Sequence, residues 1–163
     1  MSTYTDLGIE LMVTGENAGT WGTKTNNNLN LIEQLTGGFA TVSIAGGAGT
    51  TALDVDDGAL TGTAQQRVIE FTGSISGNRI VTIPNDVETF YILKNSTSGA
   101  YTVQFKYATG SGASTTFSTT DKGIKIVYAS ASPDATNPII VDVMANSSEI
   151  ALTNSNPIKF QDA

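Results

Sequence analysis

The sequence predicts a mainly β protein, an antiparallel β-sandwich preceded by an extended arm and one short helix. Three observations carry the prediction. After Gly38, runs rich in Val, Ile, Thr, Phe and Tyr recur at intervals of about ten residues, separated by Gly, Ser, Asn, Asp and Pro. Several runs alternate, as Arg67, Ile69 and Phe71 do against Val68, Glu70 and Thr72, and Tyr101, Val103, Phe105 and Tyr107 against Thr102, Gln104 and Lys106. Helical spacing is confined to the stretch before Gly38, where Trp21, Leu29, Ile32 and Leu35 form a stripe that Thr25 completes.

Taken in order, the run 7–13 reads as a strand or an extended arm bounded by Gly15. The helix is expected over 20–36. Thr20 or Asn17 is placed to cap its start, and Gly37 to close it in the left-handed conformation. Gly22 and the run Asn26, Asn27 and Asn28 are poor helix formers inside it. Strands are expected at 39–45, 51–55, 67–72, 79–83, 90–94, 101–107, 124–128 and 139–144, with weaker ones at 149–152 and 158–160. Ser76-Gly77-Asn78 and 95–99 read as hairpin turns, and 109–118 as a longer hairpin tip. Ile69, Phe71, Ile80, Ile83, Val103, Phe105, Ile126 and Val141 are the expected core. The organisation is then an arm and helix (1–38), a β-sandwich domain (39–145) and a terminal segment (146–163).

Composition narrows the chemistry. The 163 residues suit one domain with an appendage, and 39% hydrophobic content with mean hydropathy of -0.02 is enough to fold. Eight basic against fifteen acidic residues leave a net charge of -7, the wrong sign for nucleic acid or an anionic membrane. No window reaches the length of a membrane-spanning helix, and the first residues lack a signal-peptide pattern. With neither His nor Cys, Ser-His-Asp and Cys-His systems, thiolate clusters and disulfides are all excluded.

The remaining motifs read as structural. Asp54, Asp56 and Asp57 have the density of a calcium loop, but Ala59 and Gln65 stand where its Gly and bidentate Glu belong. Gly46-Gly47-Ala48-Gly49 and Gly110-Ser111-Gly112 lack the helix and Lys-Ser or Lys-Thr of a phosphate loop. Asn95-Ser96-Thr97 and Asn146-Ser147-Ser148 match a glycosylation acceptor that needs secretion to matter. The carboxylate pairs Asp86 with Glu88 and Asp142 with Glu149 adjoin turns rather than a cleft-forming pattern. No catalytic, metal or cofactor residue is expected. Trp21 reads as a packing anchor rather than a ligand platform.

Two stretches are more specific. Segment 11–34, with Thr14-Gly15-Glu16-Asn17-Ala18-Gly19-Thr20-Trp21-Gly22 at its heart, resembles the amino-terminal region of tail-fibre and related virion structural proteins of marine tailed bacteriophages. Segments 77–86, 91–106 and 120–128 resemble the β-domain that follows it, and 149–162 the start of a further fibre segment. The resemblance implies the proximal, tail-attaching part of a homotrimeric fibre used in host adsorption. Expected partners are copies of the chain itself and other phage tail or adaptor proteins, with no nucleic acid and no membrane. The implied location is the virion tail appendage, assembled in the host cytoplasm. A capsid decoration protein and a carbohydrate-binding β-sandwich are the alternatives, followed by a hydrolase, which would need a convergent acidic cleft. Strand edges with few guarding Lys independently favour a homo-oligomer. Trp21, Leu29, Ile32 and Leu35 are the expected virion contact, because so apolar a stripe needs a cover.

Overall fold

The computed structural model of the chain describes residues 2–131 and 137–145. The expected strands 149–152 and 158–160, and the segment 146–163, lie outside the described residues. A small hairpin of β1 (Thr3–Tyr4) and β2 (Glu10–Leu11) leads into α1 (Trp21–Gly37). Nine strands follow: β3 (Phe39–Ser43), β4 (Gly49–Ala52), β5 (Val68–Thr72), β6 (Arg79–Ile83), β7 (Glu88–Asn95), β8 (Val103–Tyr107), β9 (Thr115–Phe117), β10 (Ile124–Ser130) and β11 (Ile140–Asp142). They form a five-stranded sheet ordered β11-β10-β7-β5-β3 and a four-stranded sheet ordered β4-β6-β8-β9. The mainly β architecture with one leading helix is thus as expected.

The pairing is not purely antiparallel. From β3 to β8 the chain crosses to the other sheet at every strand, so β3, β5 and β7 run parallel in one sheet and β4, β6 and β8 parallel in the other. Parallel neighbours need a return path between them, and here the return is a strand of the facing sheet rather than a helix. Three stacked coils result. Their corners also pair: Gly46 bridges Ile75 and Ser74 bridges Ser98, with Gly46 N–H donating to Ser74 O at 3.0 Å and Ser98 N–H to Gly73 O at 3.0 Å. Ser76-Gly77-Asn78 and 95–99 are therefore corners between sheets and not hairpins. Gly99, at φ 101°, turns its α-carbon toward the Ile75 carbonyl, where a side chain has no room. Only at the end does the chain reverse within a sheet: β9 pairs antiparallel with β8, β10 with β7 and β11 with β10. Strand β9 lies inside the expected loop 109–118, because Thr115 and Phe117 turn inward on a run otherwise rich in Gly, Ser and Thr.

The core lies between the two sheets. Phe71, Tyr91 and Phe105 stack at its centre, with ring centroids 6.3 Å apart for Phe71–Phe105 and 5.6 Å for Tyr91–Phe105, the latter edge to face. Of the expected core, Ile69, Phe71, Ile83, Val103 and Phe105 are buried. Ile80, Ile126 and Val141 are corrections: they point to the outer faces while Val81, Val127 and Ile140 fill the interior. On strands apolar at adjacent positions, alternation does not decide which face turns inward.

The helix ends also differ from expectation. Thr20 makes no side-chain cap bond, and Asn17, at φ 63°, gives its amide to Glu10 instead. Gly37 ends the helix and Gly38 is extended at φ -67°, so the exit is not a left-handed cap. Gly38 serves close approach: a side chain there would meet Gln34 and Gln66.

Candidate functional site

The helix is anchored by polar side chains. Its inward face carries Leu31, fully buried, and Asn28, whose amide donates to Glu10 O at 2.8 Å while its Oδ1 accepts Glu10 N–H at 3.0 Å. The Glu10 carboxylate, buried among Ser2, Asn17 and Lys24, accepts Ser2 Oγ–H at 2.7 Å and Asn17 Nδ2–H at 3.2 Å and pairs with Lys24 Nζ at 3.0 Å. The Ser2 hydroxyl, the Lys24 ammonium and the Asn17 amide hold its pKa below the ordinary value, overcoming partial desolvation. Gln34 Nε2–H reaches Leu60 O at 3.2 Å, tying the helix end to the loop before β5. Gln65, fully buried, donates to Leu7 O at 2.8 Å and accepts Asp56 N–H at 3.2 Å, joining the arm to the β-domain. Sequence reasoning missed Glu10, Asn28 and Gln65. Their signal was negative, since the Asn run is costly in a helix unless its amides hold something.

This anchoring leaves the predicted stripe outward. Trp21 is 62% exposed and Leu29 58%, with Ile32 exposed beside them and Leu35 half-buried. The stripe borders the Leu31 and Asn28 side of the helix: Trp21, Ile32 and Leu35 stand four or seven residues from Asn28, and Leu29 turns furthest from Leu31. Trp21 is therefore not an anchor of its own domain, a correction to the reading of it as packing. The stripe does not cover the sandwich.

The other sequence motifs are structural where they are described. Asp54 Oδ1 accepts both the N–H (3.1 Å) and the hydroxyl (2.6 Å) of Thr63, bonds that lower its pKa, and Asp56 accepts Thr61 Oγ–H at 2.5 Å. Asn95 is a buried corner residue whose Oδ1 takes the N–H and hydroxyl of Thr97 and whose amide donates to Asp121 O at 2.9 Å. Ser111, in the Gly110-Ser111-Gly112 turn, is bound by Asn137. Asp142 takes Lys125 Nζ at 2.8 Å and Thr115 Oγ–H at 3.1 Å; burial pushes its pKa up, but these partners and the Ala145 N–H outweigh that and leave it lowered. Its suggested partner Glu149 lies outside the described residues. Glu88 accepts Tyr128 Oη–H at 2.6 Å, and Asp86 lines a shallow depression of about 350 Å³ with Tyr4, Asp6 and Asp57. Among the described residues no basic side chain lines that depression, so it gathers like charges. Among the described residues, no group of three or more His, Cys, Asp or Glu is placed to hold a metal ion, and no helix is long and apolar enough to cross a membrane. Burial pushes the Tyr107 hydroxyl up to about 12, and that hydroxyl spends its proton on Val87 O at 2.7 Å.

Compared with known protein families, curated proteins and solved structures, the chain matches none.

Proposed function

We propose that this chain is a structural protein of a tailed-phage virion: the proximal part of a homotrimeric tail fibre, docking on a tail or adaptor protein through the helix stripe. The observation that carries the reading is the outward stripe of Trp21, Leu29 and Ile32 on a helix whose neighbouring face is already fastened. An apolar face left open on an anchored helix is suited to a protein partner, and an exposed indole at its tip is the residue type that dominates such contacts. The resemblance of segment 11–34 to fibre attachment regions points to the same stretch of chain. The virion contact is non-enzymatic and uses no cofactor.

Immunogold labelling of virions of a phage encoding the chain tests the reading. Label at the tail supports it. Label over the head replaces the fibre with a decoration protein, and virions without label overturn both. Within the fibre reading, Trp21→Ala together with Leu29→Ala leaves the chain folded and lowers its incorporation into particles.

A further inference from the structure

The two sheets differ on their outer faces. On the four-stranded sheet the outward row is Thr50, Ile80, Gln104 and Thr116, and the next is Ala52, Thr82 and Lys106. On the five-stranded sheet, register aligns Phe39, Val68, Ile92 and Ile126 as direct neighbours on one face, and Val143, whose N–H donates to Ile126 O at 2.9 Å, extends the row to the end of β11. An apolar band thus crosses four strands and reaches the residue just past β11. Phe90 and Tyr128 lie next to it on the same face with ring centroids 5.5 Å apart.

This band is not shielded within the described chain. Phe39 is 58% exposed, Phe90 53% and Ile124 64%, and Ile126 and Val143 are exposed as well. An aromatic side chain offers on the order of 200 Å², so each Phe shows about 100 Å². With its neighbours the band presents roughly 600 Å² of apolar surface, the top of the range for a monomer's largest patch. Adding the polar border brings the face to about 800 Å², what one partner contributes to a standard stable interface.

Charge indicates which partner fits. The chain carries a net charge of -7, so two copies repel through most approaches. On this face Lys94 Nζ pairs with Glu70 at 2.7 Å, which leaves one carboxylate, Glu88, hydrogen-bonded by Tyr128 but still charged. The face is a near-neutral window through which another acidic copy can approach, and a basic partner would find little to hold there. The row also reaches Phe39 on β3, an edge strand without Lys or Pro to guard it.

We infer that the outer face of the five-stranded sheet is the surface through which copies of this chain associate, sheet against sheet. This rests on the self-association in the proposed function and adds its location. In a trimer the Phe39–Val68 end of one row meets the Phe90–Ile126 end of the next around the axis, a heterologous contact that closes as a ring.

The test is sedimentation velocity of the full chain and of full-chain Phe39→Glu, Phe90→Glu and the double variant, with Thr116→Glu on the opposite sheet as control. Both Phe positions are exposed, so the fold tolerates the changes, and a melting curve checks each variant. The expected result is an oligomer for the parent and Thr116→Glu, with the dissociation constant raised at least about thirtyfold by each Phe variant, the size of a hot-spot loss. A parent oligomer unaffected by the Phe variants overturns this inference and leaves the proposed self-association standing. A monomeric parent overturns both. In that case Ile126→Cys, the sole thiol of its chain, reports the cover: slow labelling by a maleimide assigns the face to the chain's own residues 146–163, and fast labelling leaves it uncovered.

Discussion

At the scale of single residues, stability is concentrated where aromatic rings meet and where carboxylates are shared. Phe105 touches both Tyr91 and Phe71 and is fully buried, so Phe105→Ala leaves a cavity that two rings cannot fill. The expected loss is about 3–5 kcal/mol, read as a lowered melting temperature by circular dichroism. The carboxylates set the response to acid. Glu10, Glu70, Asp54 and Asp142 all have lowered pKa values in the fold. Each then contributes stability that is complete above its unfolded value, near 4.5 for Glu and 3.8 for Asp, and that is lost as pH falls through the lowered folded value. Urea midpoints are expected to hold steady near neutrality and drop progressively below about pH 4.5. Glu10→Gln is expected to flatten that slope, because one of these protonation steps is removed.

At the scale of elements, the helix is held by its side chains more than by its own propensity. Three consecutive Asn weaken it as an isolated segment, yet Asn28 closes two bonds on the Glu10 backbone and Asn27 reaches Gly58 O at 3.5 Å. Asn28→Ala orphans a partly buried N–H and C=O on the arm, at a cost of about 1–3 kcal/mol. Limited proteolysis is expected to cut that variant first within the arm, before α1, while the β-domain stays intact; unchanged arm protection would show that Gln65 and the Glu10 side chain suffice. The coils follow a related logic. Each strand of one sheet is positioned by the strand one coil earlier, and the corner glycines let the turns stack closely enough to bond.

At the scale of the whole molecule, the proposed assembly joins acidic chains through a near-neutral apolar face, against their own charge. Salt screens the repulsion between copies and leaves apolar contact intact, so association is expected to tighten as ionic strength rises. Sedimentation at low and high salt measures this, and a weakening would mean that ion pairs between copies hold the assembly. The two apolar surfaces divide the work in the proposed reading: the sheet face joins copies, and the helix stripe meets the rest of the particle.

The β class, the helix and most strand positions are legible in the sequence, because spacing and side-chain type are local properties. The Trp21, Leu29 and Ile32 stripe is legible for the same reason. Tertiary structure alone decided which strands are neighbours and in which direction, since the coils repeat at unequal lengths: Phe39 aligns with Val68, but Val68 with Ile92. It also decided which face of β10 is inside. Ile124 and Ile126 alternate as convincingly as Val127 and Ala129, and only the facing sheet, by burying the second pair, leaves the first on the surface. Likewise the buried partners of Glu10 and Gln65 come from segments distant in the chain or on another element, whose convergence no local pattern records.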